Sequence, residues 1–309
     1  MNICEYTYCR TPFADTHLTC TRFGFPRDNS RLQEPAFLME TKVTGLPATI
    51  FDMHQILPAI DNVLELQLQI MEMFGIEKAL LQSVPPQVTS IWGNDKLREL
   101  AQTHPNRFWI SQFLDPRMPD ITKILHQLAD MGIKVIKLLT PAGYSPDDPK
   151  YDDFWATMQE RNLVAMLHTG FITARHKKEE ARAGVFLHSR YANPLLLDLP
   201  ARKFPNLTFI LCHLGGNIWY EEAAEMVTLH DNVWGDISGT GIFAVQRLLK
   251  VGAALDWTKV FWGNDSAPWA YPFNFRLLLT ALSQAGVQEI APLLLYENGR
   301  RFSEQFLSS

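Results

Sequence analysis

The stretches LVAMLH at residues 163–168 and LTFILCH at residues 207–213 decide the fold. Each is a short apolar run that ends in a histidine, and such a run is typical of a parallel strand buried on both faces. Six further apolar runs are bounded by turn residues and bring the number of predicted strands to eight. They are ATIFDMH (48–54), IEKALLQSV (76–84), RFWISQFL (107–114), IKVIKLL (133–139), NVWGDIS (232–238) and KVFWGND (259–265).

The segments between these runs carry apolar residues at helical spacing. The first segment ends at Gly75 and the third ends before Gly132, and glycine is a common signal for the C-terminus of a helix. The helix after the fifth strand is the least well defined, because Pro200 interrupts it. The other predicted helices cover residues 62–74, 95–103, 121–131, 152–160, 218–229, 242–251 and 273–285.

A strand followed by a helix, repeated eight times, predicts an α/β protein whose parallel sheet closes into a (β/α)8 TIM barrel over residues 46–309. An open doubly wound sheet is the alternative, and the lack of a Gly-rich turn after the first strand argues against it. Residues 1–45, with Pro12, Pro26 and Pro35, do not follow this alternation. We expect them to form an irregular N-terminal extension packed on the barrel, either as a lid or simply as packing.

The composition fits a globular protein with one large core, since 47% of the 309 residues are hydrophobic. The net charge is −5 and the chain has no long run of like charges. Both observations argue against a nucleic-acid-binding protein, which would usually carry a basic face. No apolar window approaches the roughly 20 residues needed to cross a bilayer, and the N-terminus lacks a secretory signal pattern. We therefore expect a cytoplasmic protein with no membrane partner. Its thiols should be reduced, and Cys212, in an apolar run, should pack as a small hydrophobe.

Polar side chains gather at the ends of the predicted strands. In a barrel, the C-terminal ends of the strands form one rim, and the active site lies there. Three histidines and an aspartate at that rim predict an active site rather than packing alone. The residues at or near the ends of strands one, four, five, six, seven and eight are His54, Lys137, His168, His213, Asp236 and Asp265.

Three short motifs carry a resemblance to a known family. They are HTG at 168–170, HLGG at 213–216 and WGNDSAPW at 262–269. In their order and spacing they resemble the amidohydrolase-2 branch of the amidohydrolase superfamily, over roughly residues 48–303. Members of that branch are generally hydrolases or non-oxidative decarboxylases that act on carboxylated, often aromatic or cyclic, substrates.

The resemblance implies one divalent metal, commonly zinc, bound by His54, His168 and Asp265, with catalytic roles for His213 and Asp265. The family has a second histidine two residues after the first, where this chain has Ile56. Residues two apart on a strand face the same side, so we expect Ile56 to point into the barrel beside His54. Three ligands and a water still make a catalytic zinc site, whereas relatives of the pyrone-dicarboxylate lactonase type work without metal. Both a metal-dependent and a metal-free site therefore remain open.

A second stretch, FADTHLTC at 13–20, also resembles the family's first-strand motif and would make His17 the site histidine. We favour His54 for two reasons. ATIFD is the better strand sequence, and the first helix and second strand then follow at ordinary loop lengths.

Three further residues are predicted to contact substrate. Lys137 is placed to meet a carboxylate, unless the neighbouring Asp236 holds it. Arg190 belongs to a cation-rich segment after the fifth strand that would attract an anionic substrate, and Trp269 follows Asp265 closely. Asp236 and Ser238 are expected either to orient a histidine or to cap the end of their strand.

The leading hypothesis is a hydrolase of a small, carboxylated and therefore anionic molecule, with water activated by a divalent metal or by Asp265. A non-oxidative decarboxylase with His213 as the proton donor is the second. A metal-free lactonase-type hydrolase and a catalytically inactive ligand-binding barrel are further alternatives, the last prompted by Ile56. A homodimer is a further option because dimers are common among barrels, although the sequence identifies no interface.

Overall fold

The structure, a computed structural model, describes residues 2–3, 12–13, 43–85, 91–171, 187–216, 218–252 and 254–307. Strands β1 (Asn2–Ile3) and β2 (Pro12–Phe13) pair antiparallel as a small separate sheet. Most of the predicted N-terminal extension, His17 included, lies outside the described residues. Its packing on the barrel therefore stays a prediction.

Eight parallel strands form a nearly closed barrel, which confirms the predicted fold. Strands that follow one another in the chain are also neighbours in the sheet from the first to the last. This is the order that eight successive strand–helix units produce. Each strand coincides with a predicted apolar run to within a few residues: β3 (Ile50–Gln55), β4 (Ile76–Leu81), β5 (Phe108–Phe113), β6 (Val135–Leu138), β7 (Val164–His168), β8 (Thr208–Cys212), β9 (Val233–Asp236) and β10 (Val260–Phe261).

Helices follow the barrel strands. The least well defined of them contains Pro200 in its first turn, where the missing N–H removes no helical hydrogen bond. Within the described residues, no helix combines the length and the low polarity needed to cross a bilayer. The helices are α1 (Val63–Phe74), α2 (Asn94–Thr103), α3 (Ile121–Asp130), α4 (Asp152–Glu160), α5 (Asp198–Lys203), α6 (Tyr220–Leu229), α7 (Ile242–Val251), α8 (Tyr271–Ala285) and α9 (Asn298–Phe302).

The barrel closes where its last strand meets its first. The backbone N–H of Met53 donates to the carbonyl of Trp262 at 3.1 Å, and that of Asp265 donates to the carbonyl of His54 at 2.7 Å. β10 is only two residues long. This seam therefore has a short backbone ladder, and side chains must help to hold it.

The core has two parts. One apolar cluster lies between the strands and the surrounding helices, and a second fills the barrel with residues such as Val164 and Ile210. At the N-terminal ends of the strands, Phe302 of α9 packs edge-on against Trp234, with ring centroids 5.0 Å apart. Turns of π-helix at Leu293–Glu297 and Ser303–Leu307 flank α9. Because aromatic side chains fill this end, the polar site can form only at the other.

A bulge in β3 decides where its last side chains point. Between Asp52 and Gln55, three steps along β3 correspond to two steps along β4. A bulge redirects the side chains around it. Here Met53 belongs to the interior cluster and the next residue, His54, also reaches the interior. β3 ends at Gln55 and Ile56 is only partly buried beyond it, so strict strand alternation, on which its predicted orientation rested, does not extend to Ile56.

Gly75 ends α1 and lies directly against the backbone that precedes β3. It ends α1 at φ 67°, and a Cβ there would lie 2.5 Å from the carbonyl oxygen of Ala48. Gly286 ends α8 at φ 73°, with nothing within 4 Å of the same position. We expect Gly286→Ala to lower the free energy of unfolding by about 1–2 kcal/mol through backbone conformation alone. Gly75→Ala should lower it by ~1–3 kcal/mol more because of the clash. Urea unfolding measures both, and equal losses would contradict the clash.

Candidate active site

The buried carboxylate of Asp236, at the end of β9, organises the C-terminal end of the barrel. Its Oδ2 lies 2.9 Å from Nδ1 of His54. Its Oδ1 accepts hydrogen bonds from the backbone N–H of His213 at 3.0 Å and of Ser238 at 2.9 Å, and from the Ser238 hydroxyl. Burial alone would raise the pKa of Asp236, but the charge and hydrogen bond of His54, with His213 and Ser238, hold it well below its ordinary value. The predicted orienting contact between Asp236 and a histidine is present.

His54, His213 and Asp265 form one group above Asp236. Nε2 of His54 lies 3.4 Å from Oδ1 of Asp265, and Nδ1 of His213 lies 3.7 Å from its Oδ2. One ligand atom from each of the three residues lies within 4.8 Å of the others. The two histidines are buried, whereas the Asp265 side chain is 25% exposed. The group is therefore reached from outside through Asp265.

The backbone of this group is strained. His213, Leu214 and Asp265 have φ angles of 65°, 43° and 42°, in the left-handed region that side chains with a Cβ disfavour. Such residues cost roughly 1–3 kcal/mol each and persist only where the surroundings hold them. The strain at both His213 and Asp265 fits residues kept in place for chemistry rather than for stability.

His54 sits between two carboxylates. Burial and the charge of Lys137 lower its pKa, but Asp236 and Asp265 more than offset them and raise the pKa of His54 to about 10. Without a metal, His54 is therefore a cation at neutral pH. A cation is favoured at this position, and either a proton or a metal ion can supply it.

His168 ends β7 beside this group. Its ring centroid lies 4.8 Å from that of His213. Its Nε2 is buried and has no hydrogen-bond partner among the described residues. Burial, followed by the ionisable neighbours His213, Lys137 and His54, lowers the pKa of His168 well below its usual value. It is thus a neutral imidazole with a free ring nitrogen, although within the described ranges it belongs to neither set of groups whose ligand atoms all lie within 4.8 Å.

Lys137 and Cys212 meet below His54. The Lys137 ammonium donates to the Cys212 sulfur at 2.8 Å, and both residues are buried. Cys212 also lies within 4.8 Å of ligand atoms of His54 and Asp236. The partner of Lys137 given by the structure is thus Cys212 rather than Asp236. Cys212 packs in the interior cluster as expected of a small hydrophobe, but its polar role was missed. The signal was its position two residues after Ile210, on the face that lines the barrel.

Two predicted substrate contacts lie farther out in the described structure. Arg190 is exposed, and its guanidinium lies 4.5 Å from the centroid of the Tyr191 ring. Residues 172–186 of its cation-rich segment are outside the described part of the chain. Trp269 is partly buried and packs against the cluster between barrel and helices. Their substrate roles stay predictions.

The donor set fits one divalent ion. Nitrogen and oxygen ligands bind zinc at about 2.0–2.2 Å, so ligands of one ion can lie at the separations seen between Asp265 and the two histidines. Asp236 holds the other ring nitrogen of His54, which is how metal-binding histidines are commonly oriented. His168, the ligand implied by the family pattern, offers a free Nε2 close by.

The state of His168 makes acid stability a test of the site. An unfolded histidine titrates near pH 6.5, whereas folded His168 stays neutral to lower pH. As the pH falls through 6.5 the unfolded chain gains a proton that the folded chain lacks, so stability is lost toward acid. In chelator-treated protein, the free energy of unfolding of the unmodified chain should fall between about pH 7.5 and 5.5. The fall should be smaller in His168→Gln, by up to ~1.4 kcal/mol.

Denaturant unfolding at several pH values measures this difference. His126→Gln, at a partly exposed position on α3, is the control for removal of a histidine as such. If His168→Gln leaves the pH dependence as it is in the unmodified chain, the ring titrates alike in both states and its buried neutral form is wrong.

The sequence matches the model of one protein family over most of its length. The sequence model of the family described as Amidohydrolase matches residues 92–302, more than half of the chain. The match includes His168, His213 and Asp265 and begins after His54. No curated protein matches the chain.

Solved structures of similar fold include the following three. An uncharacterised TIM-barrel protein of Bordetella bronchiseptica has a TM-score of 0.59 and 16% identity, covering 83% of this chain and 99% of that one. A probable 2-pyrone-4,6-dicarboxylic acid hydrolase of Acinetobacter baumannii, with citric acid bound, has a TM-score of 0.55 and 15% identity, covering 82% and 98%. The 5-carboxyvanillate decarboxylase of Novosphingobium aromaticivorans, complexed with manganese and 4-hydroxy-3-methoxy-5-nitrobenzoic acid, has a TM-score of 0.50 and 17% identity, covering 77% and 79%. At these identities the likeness shows the fold. Since the family match spans more than half of the chain, this protein belongs to the amidohydrolase family.

Proposed function

We propose that this protein hydrolyses a small carboxylated, cyclic or aromatic substrate with a water activated at the His54–His213–Asp265 group. The observation that carries the proposal is the placement of Asp265. Its carboxylate lies between two buried histidines and is itself 25% exposed. A base that touches both a buried positive charge and the solvent is placed to take a proton from water.

A single divalent ion would be held by His54 and Asp265, with His168 as the third ligand that the family pattern implies and His213 as the alternative. When bound, the ion polarises a carbonyl and acidifies a water molecule. Zinc is our first expectation from the nitrogen-rich donor set. Manganese, present in the decarboxylase of similar fold, is the alternative.

The chain's own groups account for binding and proton movement. Asp265 accepts the proton of the attacking water. In the metal-free form, protonated His54 and the Lys137 ammonium balance the charges of Asp236 and Asp265. Protonated His54 can stabilise the negative charge that develops on a carbonyl oxygen of the substrate. Burial, opposed by nearby carboxylates, leaves the pKa of His213 below its usual value, so this neutral ring can relay a proton to the leaving group.

The substrate class rests on charge and on the relatives. Two of the proteins of similar fold are named for cyclic molecules that carry carboxylates. A divalent ion held by His54 and Asp265 would supply positive charge to a carboxylate of the substrate, which supports the same class here. Arg190 and Trp269 remain our candidates for contacts to the outer part of the substrate.

A non-oxidative decarboxylase is the second candidate. The observation that favours it is the position of His213, the predicted proton donor, beside Asp265, because loss of carbon dioxide leaves a carbanion that must be protonated. The two reactions are told apart by product: carbon dioxide for the decarboxylase, and a new carboxylate with no loss of carbon for the hydrolase.

Asp265→Asn tests the base. We expect kcat/KM for lactones and cyclic carboxylates to fall about 10²- to 10⁴-fold, because the amide cannot accept the proton of water. Steady-state kinetics on a panel of such substrates measures the loss, with carbon dioxide release followed in parallel.

Asp231→Asn is the matched control, since Asp231 is exposed beyond the end of α6, and it should keep full activity. Full activity in the Asp265→Asn protein would contradict both the hydrolase and the decarboxylase. An active parent chain that releases carbon dioxide would select the second candidate over the first.

Elemental analysis tests the metal. We expect about one equivalent of zinc or manganese per chain, and little in His168→Ala. His126→Ala, which leaves the described site untouched, should retain it. Circular dichroism of the variants confirms that a loss of metal is not a loss of fold.

If no divalent ion is retained after dialysis against zinc and manganese, and chelators leave activity intact, the metal-dependent form of the proposal is wrong. Asp265 is then the sole activator of water.

A further inference from the structure

The carboxylate of Asp52 binds both sides of the barrel seam. Its Oδ1 accepts hydrogen bonds from the backbone N–H of His54 at 2.9 Å and of Asn264 at 3.1 Å. Its Oδ2 accepts from the Tyr271 hydroxyl at 2.5 Å. His54 is a member of the site, and Asn264 directly precedes Asp265. One buried side chain therefore binds the backbone at His54 and, more than 200 positions later in sequence, at the residue before Asp265.

A ring of buried side chains completes this connection. Gln67 of α1 donates to the Tyr271 hydroxyl at 3.0 Å and accepts from Gln55 at 2.7 Å. Gln55 in turn accepts from the Asn264 side chain at 2.9 Å. All of these side chains have 0% exposure, and direct hydrogen bonds join α1, α8, β3 and the segment after β10.

The backbone around the ring needs such support. β3 bulges between Asp52 and Gln55, and Asp265 has a φ of 42°. At Gly263, a Cβ would lie 2.4 Å from the Cβ of His54, so the two segments approach as closely as their backbones allow. The two-residue β10 offers little ladder to fix this approach. The distance of 3.4 Å between Nε2 of His54 and Oδ1 of Asp265 therefore depends on side-chain contacts.

Stability alone is a weak reason for this arrangement. A buried carboxylate loses its hydration, and well-packed apolar groups often stabilise a core as well as a buried polar network does. What apolar groups cannot do is receive two backbone N–H groups from opposite sides of a seam. The ring of hydrogen bonds around Asp52 therefore has the geometry needed to hold β3 at a fixed distance from the segment after β10.

We propose that Asp52, held by Tyr271, is a positioning residue that sets the separation of His54 and Asp265. Its effect on catalysis rests on the function proposed above, whereas its effect on the geometry of His54 does not. Neither Asp52 nor Tyr271 touches the reacting atoms, so loss of either should impair the chemical step more than substrate binding.

The test compares Tyr271→Phe with Tyr151→Phe. Both hydroxyls are buried in aromatic surroundings, but that of Tyr151 makes no hydrogen bond within the described residues. In Tyr271→Phe we expect kcat to fall about 10- to 100-fold, as when a residue that orients an active-site histidine is removed. KM should stay within about twofold of the parent value. Tyr151→Phe should leave both unchanged. Asp52→Asn, which keeps the shape of the side chain, should lower kcat at least as much as Tyr271→Phe.

A second readout needs no substrate. In chain labelled with ¹⁵N-histidine, the ring signals of His54, assigned by their absence in His54→Gln, should shift in Tyr271→Phe and stay in place in Tyr151→Phe. If the parent chain is inactive on every substrate but these signals shift, the proposed function is wrong and the positioning role stands. If Tyr271→Phe lowers only the free energy of unfolding, with kcat and the His54 signals as in the parent, the hydrogen bonds around Asp52 serve stability alone. The positioning role is then wrong.

Discussion

Asp236 is a carboxylate with no solvent exposure, and much of the polar end of the barrel is arranged to satisfy it. Burying an isolated charge is strongly unfavourable unless it is paired and hydrogen-bonded. Asp236 meets both conditions by binding His54 on one oxygen and the chain at His213 and Ser238 on the other. These contacts fix the ring of His54 and the turn that carries His213. His54 is the positively charged partner of Asp236, and a metal ion would bind to the same ring. Asp236 therefore favours either a proton or a metal ion on His54.

The two ends of the barrel differ because the interior changes from apolar to polar along the strands. Trp234 and Asp236 are two apart on β9 and face the same interior, one packed under α9 and the other beside His54. Lys137 and Cys212 lie between these extremes, and their contact at 2.8 Å lets a buried ammonium reach a polarisable sulfur in a largely apolar layer. The polar site therefore rests on the layer that holds Lys137 and Cys212, and beneath that layer lies the apolar interior cluster.

The fold could be predicted from sequence because a barrel strand buried on both faces is a continuous apolar run, and eight such runs alternate with helical segments. The ends of those runs also predicted that His54, His168, His213 and Asp265 lie at one rim of the barrel, and the structure places them side by side. What could not be predicted depends on contacts far apart in the chain. The bulge in β3 lies between Asp52 and Gln55, whose hydrogen bonds reach the segment after β10, and β3 ends before Ile56, so simple alternation did not apply there. The pairing of Lys137 with Cys212 joins β6 to β8. Strand alternation places Cys212 on the interior face, but no local pattern shows which side chain it meets there.

The plug formed by α9 has a consequence for the order in which the barrel can be built. Phe302 contacts Trp234 and Phe261 inside the strands' N-terminal ends, with centroids 5.0 and 5.4 Å apart. During synthesis the eight strands leave the ribosome well before residue 302 does. Until then the interior at that end stays exposed to water, and an open apolar surface of this kind is prone to association with other chains. A nascent barrel that has all its strands is therefore still an unfinished protein, and its dependence on chaperones should be greatest in that interval.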